Sequence, residues 1–278
     1  MPTVTPRTDS VEIAPIIGRR HEVRTWIAYV ALALAGLVPL ILVVAALGAK
    51  AGIWGFGFGL GVLTAQVARW LAFAAIGVGL VSLLFGVLLA PRSKRAILGG
   101  ALALVVGAAT IASLLNLRAT ARANPIHDIT TDTQNPPVFG EAVVAERARV
   151  EGANTLDYVG KTVRRDGTGD LVSVTQSRLY PDLKPLVISD SPDAAFARAE
   201  AAVRELGWDV KSSDPAAGRL DATDTTFWYG FEDDVAIRVR PGAGGGSVVD
   251  VRSVSRVGGS DLGANAERVR DFIRAFEG

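Results

Sequence analysis

Three stretches without a single charged residue constrain this chain more than any other feature. Residues 26–47, 71–90 and 96–117 are uncharged and almost wholly apolar. At about 1.5 Å per residue the first spans roughly 33 Å as a helix, enough for a hydrocarbon core of about 30 Å. Buried helices of soluble domains carry shorter apolar runs, about 10–14 residues. The composition agrees: hydrophobic residues make up 49% and charged residues 21%, with a mean hydropathy of +0.32, high for a soluble globular chain. Three transmembrane helices are therefore expected. Arg19, Arg20 and Arg24 ahead of the first run, and Ala46-Leu47-Gly48 at its end, resemble a secretory signal. The run is longer than the roughly 7–15 apolar residues of such signals, so an uncleaved span is expected.

Charge divides the chain. Residues 1–123 hold 11 Lys and Arg against 3 Asp and Glu, whereas residues 124–278 hold 18 against 25. The split predicts a basic part that meets lipid and an acidic part that meets water. It also argues against a nucleic acid partner, which needs a clustered positive surface. The expected divisions are a cytoplasmic tail (1–25), a membrane domain (26–122), an extended linker and wrapping segment (123–185) and an α+β domain (186–278). Lys and Arg near the span ends set the orientation. Arg7, Arg19, Arg20 and Arg24 precede the first span, and Arg92, Lys94 and Arg95 lie between the second and third. Lys50, Arg69, Arg118 and Arg122 fall on the other side. Seven against four predicts a cytoplasmic N-terminus and a C-terminal domain outside. No ionisable residue lies mid-span, which disfavours an ion or proton pathway. Gly99, Ala103 and Gly107 form a small-residue stripe on the third span, suited to packing in the chain's own bundle or against a second copy. Pro39 is a candidate kink. The aromatic residues of the glycine-rich loop 52–59 are expected at headgroup level.

After residue 123 the pattern changes. Pro125, Pro136 and Pro137 among Asn and Thr predict an extended segment. Residues 142–150 read as a short helix, 171–177 as a strand, and 180–185 as a rigid turn. Residues 186–188 read as a strand. Ser191-Pro192 then opens a helix that carries Phe196, Ala199, Val203 and Leu206 on one face and ends at Gly207. Strands are expected over 208–212, 219–228, 234–240 and 247–257, the last two joined by the loop 241–246. A final helix begins near Ser260 or Asp261, with Leu262, Ala266, Val269, Ile273 and Phe276 as its buried stripe. The expected fold is three transmembrane α-helices followed by a two-layer α+β domain with a mainly antiparallel sheet.

Several motifs in this half act together. They are Asp128-Ile129-Thr130-Thr131-Asp132 with Asn135-Pro136-Pro137, then Tyr180-Pro181-Asp182 with Lys184-Pro185. Phe227-Trp228-Tyr229-Gly230-Phe231 follows with Asp233-Asp234 and Arg238. The run from Asp250 through Arg252 and Arg256 to Gly258, and Ser260 to Asn265, closes the set. Over residues 124–278 the chain resembles domain-of-unknown-function family 1499 of bacterial and plastid proteins. The resemblance implies a domain type, of which members with an N-terminal membrane portion are familiar; taken with the charge bias at the span ends, a bacterial inner membrane location with the C-terminal domain periplasmic is expected. It implies no catalytic residues.

Candidate chemistry is sparse. Without Cys, and with His21 and His127 alone, neither a thiolate nor a His-rich metal site is expected, and no cofactor is called for. His127 reads as a structural, hydrogen-bonded histidine. Strand alternation puts Arg238 and Arg240 on one face, and Asp250, Arg252 and Arg256 on one face of the next strand. Guanidinium forks there suit a carboxylate or phosphate, although mutual pairing on a solvated face is the simpler account of them. Trp228, within the aromatic run 227–231, is a further candidate contact for a ligand or protein. Asp261 and Asn265 complete the binding candidates, with helix capping the simpler role for Asp261. The leading expectation is a non-enzymatic envelope module that binds an envelope protein, a lipid headgroup or an anionic ligand. The alternatives are a hydrolase of an envelope substrate using carboxylates such as Asp233 and Asp234 or a bound divalent ion, and an accessory subunit held through the third span.

Overall fold

The computed structural model of the protein describes residues 14–164 and 166–278, with side chains from residue 22 on. Arg7, the side chains of Arg19 and Arg20, and the first part of the expected tail lie outside the described residues. The chain forms two compact units, divided near Leu115, with Lys50–Ile53 grouped with Asn116–Gly278.

The first unit is a helical bundle. Helix α1 runs Ala14–Lys50, a wider π-wound stretch Gly57–Ala68 leads into α2, Arg69–Leu88, and α3 runs Lys94–Ala123. Glu22–Lys50, Gly57–Leu88 and Lys94–Ala123 are each long and apolar enough to cross a membrane. The helices outrun the expected spans because a helix keeps its own backbone paired beyond lipid. Residues 14–25, expected as a tail, are helical, and Gly57, Phe58 and Gly59 belong to the second span's helix rather than to a loop. Pro39 lies inside α1 without ending it. The Trp54 indole donates to the Ala45 carbonyl (3.1 Å), and Arg24 donates to the Leu89 and Pro91 carbonyls that close α2.

The small-residue stripe is used within this bundle. Gly99 lies against the Ala28 carbonyl and Leu32 of α1, and Gly107 against Ala72 and Ile76 of α2. Ala103 is buried between them with Ala31, Ala35, Val38 and Ala75. Among the described bundle glycines, Gly100 makes the closest approach to another helix's backbone: a Cβ there would sit 2.5 Å from the Gly79 oxygen and 2.6 Å from the Leu83 nitrogen. Both are backbone atoms and cannot yield by rotation.

The second unit carries the sheet. Its strands are β1 (Asp128–Thr130), β2 (Leu186–Ile188), β3 (Asp209–Asp214), β4 (Arg219–Thr225), β5 (Glu232–Pro241) and β6 (Ser247–Ser255). They are antiparallel in the order β1-β6-β5-β4-β3, with β2 also paired to β6. Helices α6 (Pro192–Glu205) and α7 (Ala264–Glu277) cover one face, where Phe196, Val203, Val269 and Phe272 pack on Leu220, Val235, Ile237 and Val251. Ser191 caps α6 by accepting from the Ala194 N–H. In α7 the buried stripe runs through Phe272, while Ile273 is half-buried and Leu262 is exposed ahead of the helix.

Two local expectations are corrected. Residues 171–177 form no strand but lie on helix α5 (Val172–Leu179), because the residues that must be buried, Val172, Thr175 and Gln176, recur at helical spacing. The Gln176 amide then pairs with both backbone groups of Thr130, completing the outer edge of β1 as another strand would. Strand β4 stops at Thr225, so Trp228 sits in the turn to β5.

The opposite sheet face is covered by residues 131–161, which include α4 (Glu141–Arg147). Phe139, Val143 and Leu156 of this cover pack on Ala236 and Val254.

In the bundle, Gly100→Ala is expected to cost about 1–3 kcal/mol by overpacking. Gly77→Ala, where an added Cβ meets nothing within 4 Å, is expected to be neutral. Thermal melts of the detergent-solubilised chain check the contrast, and equal melting of the two variants would contradict this packing.

Candidate functional site

The expected alternation of charged residues is realised in the sheet. Arg238 lies directly opposite Asp250, and Ala236 opposite Arg252. The face that carries them is the covered one, so the burial differs from that of a solvated surface.

Arg252 is 2% exposed. Its Nε and Nη2 donate to Asp128 (2.9 Å each), Nη2 also donates to the Leu156 carbonyl (2.7 Å), and Nη1 donates to the Pro137 carbonyl (3.2 Å). The guanidinium lies over the rings of Phe139 and Tyr158. Lys161 donates to the same Asp128 Oδ2 at 3.3 Å. Burial pushes the Lys161 pKa down against the pull of Asp128, and pushes the Tyr158 hydroxyl up.

A second knot forms around Asp234. Arg256 bonds it at 2.8 Å and also reaches Glu146 and Glu232, each at 2.7 Å. Arg147 of α4 reaches Asp234 at 2.7 Å and donates to the Asn154 carbonyl. Lys211 and Arg256 hold the Glu146 carboxyl below its ordinary pKa. Asp233 is paired to Arg268 at 2.8 Å. The carboxylates expected to serve a hydrolase, Asp233 and Asp234, therefore face guanidiniums rather than an open cleft. Arg252 and Arg256, expected as ligand contacts, instead clamp the cover to the sheet, because the segment 131–161 closes over them.

Asp261 accepts from the Gly263 and Asn265 backbone N–H groups at the entry to α7. Burial nonetheless pushes its carboxyl pKa up. Asn265 is fully buried, donates to the His127 carbonyl and Ser255 hydroxyl, and accepts from Ser253 and Arg268. His127 places Nδ1 3.4 Å from the Gly259 carbonyl. These three residues tie the β6–α7 loop to the entry of β1.

Two places stay open. Arg238 and Arg240 both bond the buried Asp250 Oδ2 at 2.8 Å, and Asp132 lies 3.3 Å and 3.6 Å from them. Their side chains are 20% and 40% exposed. Asp132 also lines a groove of about 280 Å³ with Thr131, Gln176, Tyr180, Leu183 and Lys184. The other is the β4–β5 turn, where Phe227 and Trp228 are exposed and pack edge to face. Trp228 is thus well separated along β5 from Arg238, and the expected contacts do not converge on one site.

Sequence reasoning missed Arg147, Glu146 and Arg268 as partners, and the carbonyls of Pro137 and Leu156. Asp128 stood in a quoted motif but carried no assigned partner.

Arg252→Ala leaves Asp128 buried beside Lys161 alone, and an expected loss of about 3–5 kcal/mol follows. The Asp128→Ala/Arg252→Ala double variant should recover part of it in a double-mutant cycle. Additive losses would show that the pair is not coupled.

Asp221 is buried, accepts from the Gly140 N–H and Ser212, and has its pKa raised by burial. A raised folded pKa means its favourable contribution is full below the unfolded value near 4 and is lost as pH rises through the folded value. Asp221→Asn keeps an oxygen for both donors. It should melt higher than the parent at neutral pH, with the gap closing toward pH 4. A gap independent of pH would contradict the assignment.

Among curated proteins none matches the chain. The family model described as Protein of unknown function (DUF1499) matches residues 128–276, from the first residue of β1 to the end of α7. With the buried Arg252–Asp128 pair and the whole sheet inside that match, the chain belongs to the DUF1499 family.

Proposed function

We propose that this chain is a multi-pass protein of a bacterial inner membrane whose periplasmic α+β domain is a non-enzymatic binding module. It takes an anionic group of an envelope partner at Arg238 and Arg240. The observation that carries the reading is the half-open guanidinium pair beside the groove of Thr131, Gln176 and Lys184. Most other guanidiniums on this sheet face are spent on internal carboxylates and carbonyls. These two share one buried carboxylate, Arg238 also donates to the Asn135 carbonyl at 2.8 Å, and Asp132, at 3.6 Å from Arg240, is their loosest partner. A carboxylate or phosphate entering the groove can displace Asp132 and take bidentate bonds from the forks. The third-span stripe offers less to an accessory-subunit reading, because its small residues already pack inside the bundle.

Inorganic phosphate and succinate serve as probes with the purified full chain. Either should raise the melting temperature in a concentration-dependent way. Arg240→Gln, which leaves the buried Asp250 to Arg238 alone, should melt somewhat below the parent without probe and lose the probe-dependent shift. No shift, or one retained in the variant, would refute the site. A phosphatase fused after Gly278 should be active, whereas a fluorescent cytoplasmic fusion would refute the periplasmic placement.

A further inference from the structure

A second groove lies wholly within the helical bundle. Its volume is about 220 Å³, and it runs between α1 and α3, lined on the first helix by Thr25, Tyr29 and Leu32 and on the third by Arg95, Leu98 and Gly99. Gly99 brings the two helices together here. A Cβ at that position would sit 3.2 Å from the Ala28 carbonyl oxygen and 3.2 Å from Leu32 Cγ. The larger side chains stand at the rim, with Tyr29 49%, Leu32 40% and Leu98 69% exposed. Along α1 the groove extends from Thr25 to Leu32, about 10 Å. Inside a span, a helix face this open is covered by lipid or by another helix.

One end of the groove is charged. Arg95 stands in the first turn of α3, and its side chain is exposed. Arg24 fixes this end by donating to the Leu89 and Pro91 carbonyls at 3.1 and 2.6 Å, which holds the turn before α3 against α1. Arg92 and Lys94 are exposed beside Arg95 but do not line the groove. Carboxylates are scarce. Glu22 is the last acidic residue before Asp128, and the first turn of α3 contains none. Among the described residues no carboxylate forms an ion pair with Arg95. An apolar groove thus opens beside a guanidinium for which the described chain supplies no counter-ion.

We infer that this groove seats one anionic phospholipid, its acyl chain along Tyr29, Leu32 and Leu98 and its phosphate on Arg95. The apolar walls accept the chain of any lipid, and the charge selects the anionic class. A guanidinium offers phosphate two parallel donors, and basic pockets between transmembrane helices suit such headgroups. A zwitterionic lipid brings its own cation next to the cluster of Arg92, Lys94 and Arg95. A second copy packed in parallel would bring the same cluster again, so charge disfavours it as the occupant. The inference rests on the bundle crossing a bilayer. It uses neither the orientation of the chain nor the arginines of the sheet.

The full-length protein in detergent is titrated with dioleoyl phosphatidylglycerol or dioleoyl phosphatidylcholine and read by native mass spectrometry. The parent should bind one phosphatidylglycerol several-fold more tightly than phosphatidylcholine. Arg95→Gln should lose that preference. Arg92→Gln removes the same charge outside the groove and should keep it. No preference in the parent, or equal loss in both variants, would overturn the inference in favour of diffuse attraction to the basic turn. Excess glycerol 3-phosphate should leave the lipid bound, because the groove holds its chain. Displacement would show a headgroup site alone and would also overturn it. A phosphatidylglycerol with a diazirine in its acyl chain should crosslink to the peptide that contains Leu98, and crosslinks confined to other peptides would count against the groove. A dimer that carries no lipid would replace the proposed occupant by a second copy. Both substitutions change exposed side chains, and circular dichroism separates any loss of binding from misfolding.

Discussion

A guanidinium in the middle of a sheet face must be solvated by something, and at Arg252 water has no access. Its surroundings are Asp128 on the neighbouring strand and the carbonyls of Pro137 and Leu156, which belong to the segment folded over the sheet. Desolvating such an ion costs several kcal/mol, and the pair offsets that cost only when the remaining N–H groups are also bonded. The cover therefore has one closed arrangement in which Arg252 is satisfied. Strand β1, the proline-rich turn and the Leu156 loop are brought to one point by a single side chain.

The neighbouring knot repeats the logic. Arg147 comes from the cover and Arg256 from the sheet, and both converge on Asp234. Buried ion pairs of this kind are poor evidence for net stability, since apolar replacements often do as well. What they define here is register. A slip of β6 by one residue would turn Arg252 and Arg256 away from Asp128 and Asp234 and toward the face packed under α6 and α7. The same consumption of charge leaves a domain whose charged centre is closed, with the open guanidiniums of Arg238 and Arg240 near one end of the sheet.

Periodicity made much of this fold legible. Uncharged runs longer than a bilayer gave the spans, and alternation gave Val235, Ile237 and Val239 to the core and the arginines to the other face. Capping at Ser191 gave the start of α6. The misreadings share a physical cause. Residues 171–177 combine β-branched residues with a helical burial pattern, and local propensity pointed the wrong way because a glutamine, Gln176, was to be buried against Thr130. The burial of Arg252 was not legible because its acceptors include backbone carbonyls, which leave no trace in side-chain identity. The cover read as an extended linker and wrapping segment without assigned contacts, since a segment fastened by polar groups shows little hydrophobic period.

The two open features of the domain lie far apart along one strand. Arg240 stands eight residues from Glu232 on β5, a rise of about 26 Å. The Debye length at physiological ionic strength is about 8 Å, so charges at the β4–β5 end of the strand, some three screening lengths away, contribute little at Arg240. An anion there would be selected by the geometry of the two forks and the groove walls, whose positions the shared Asp250 carboxylate and the strand register fix.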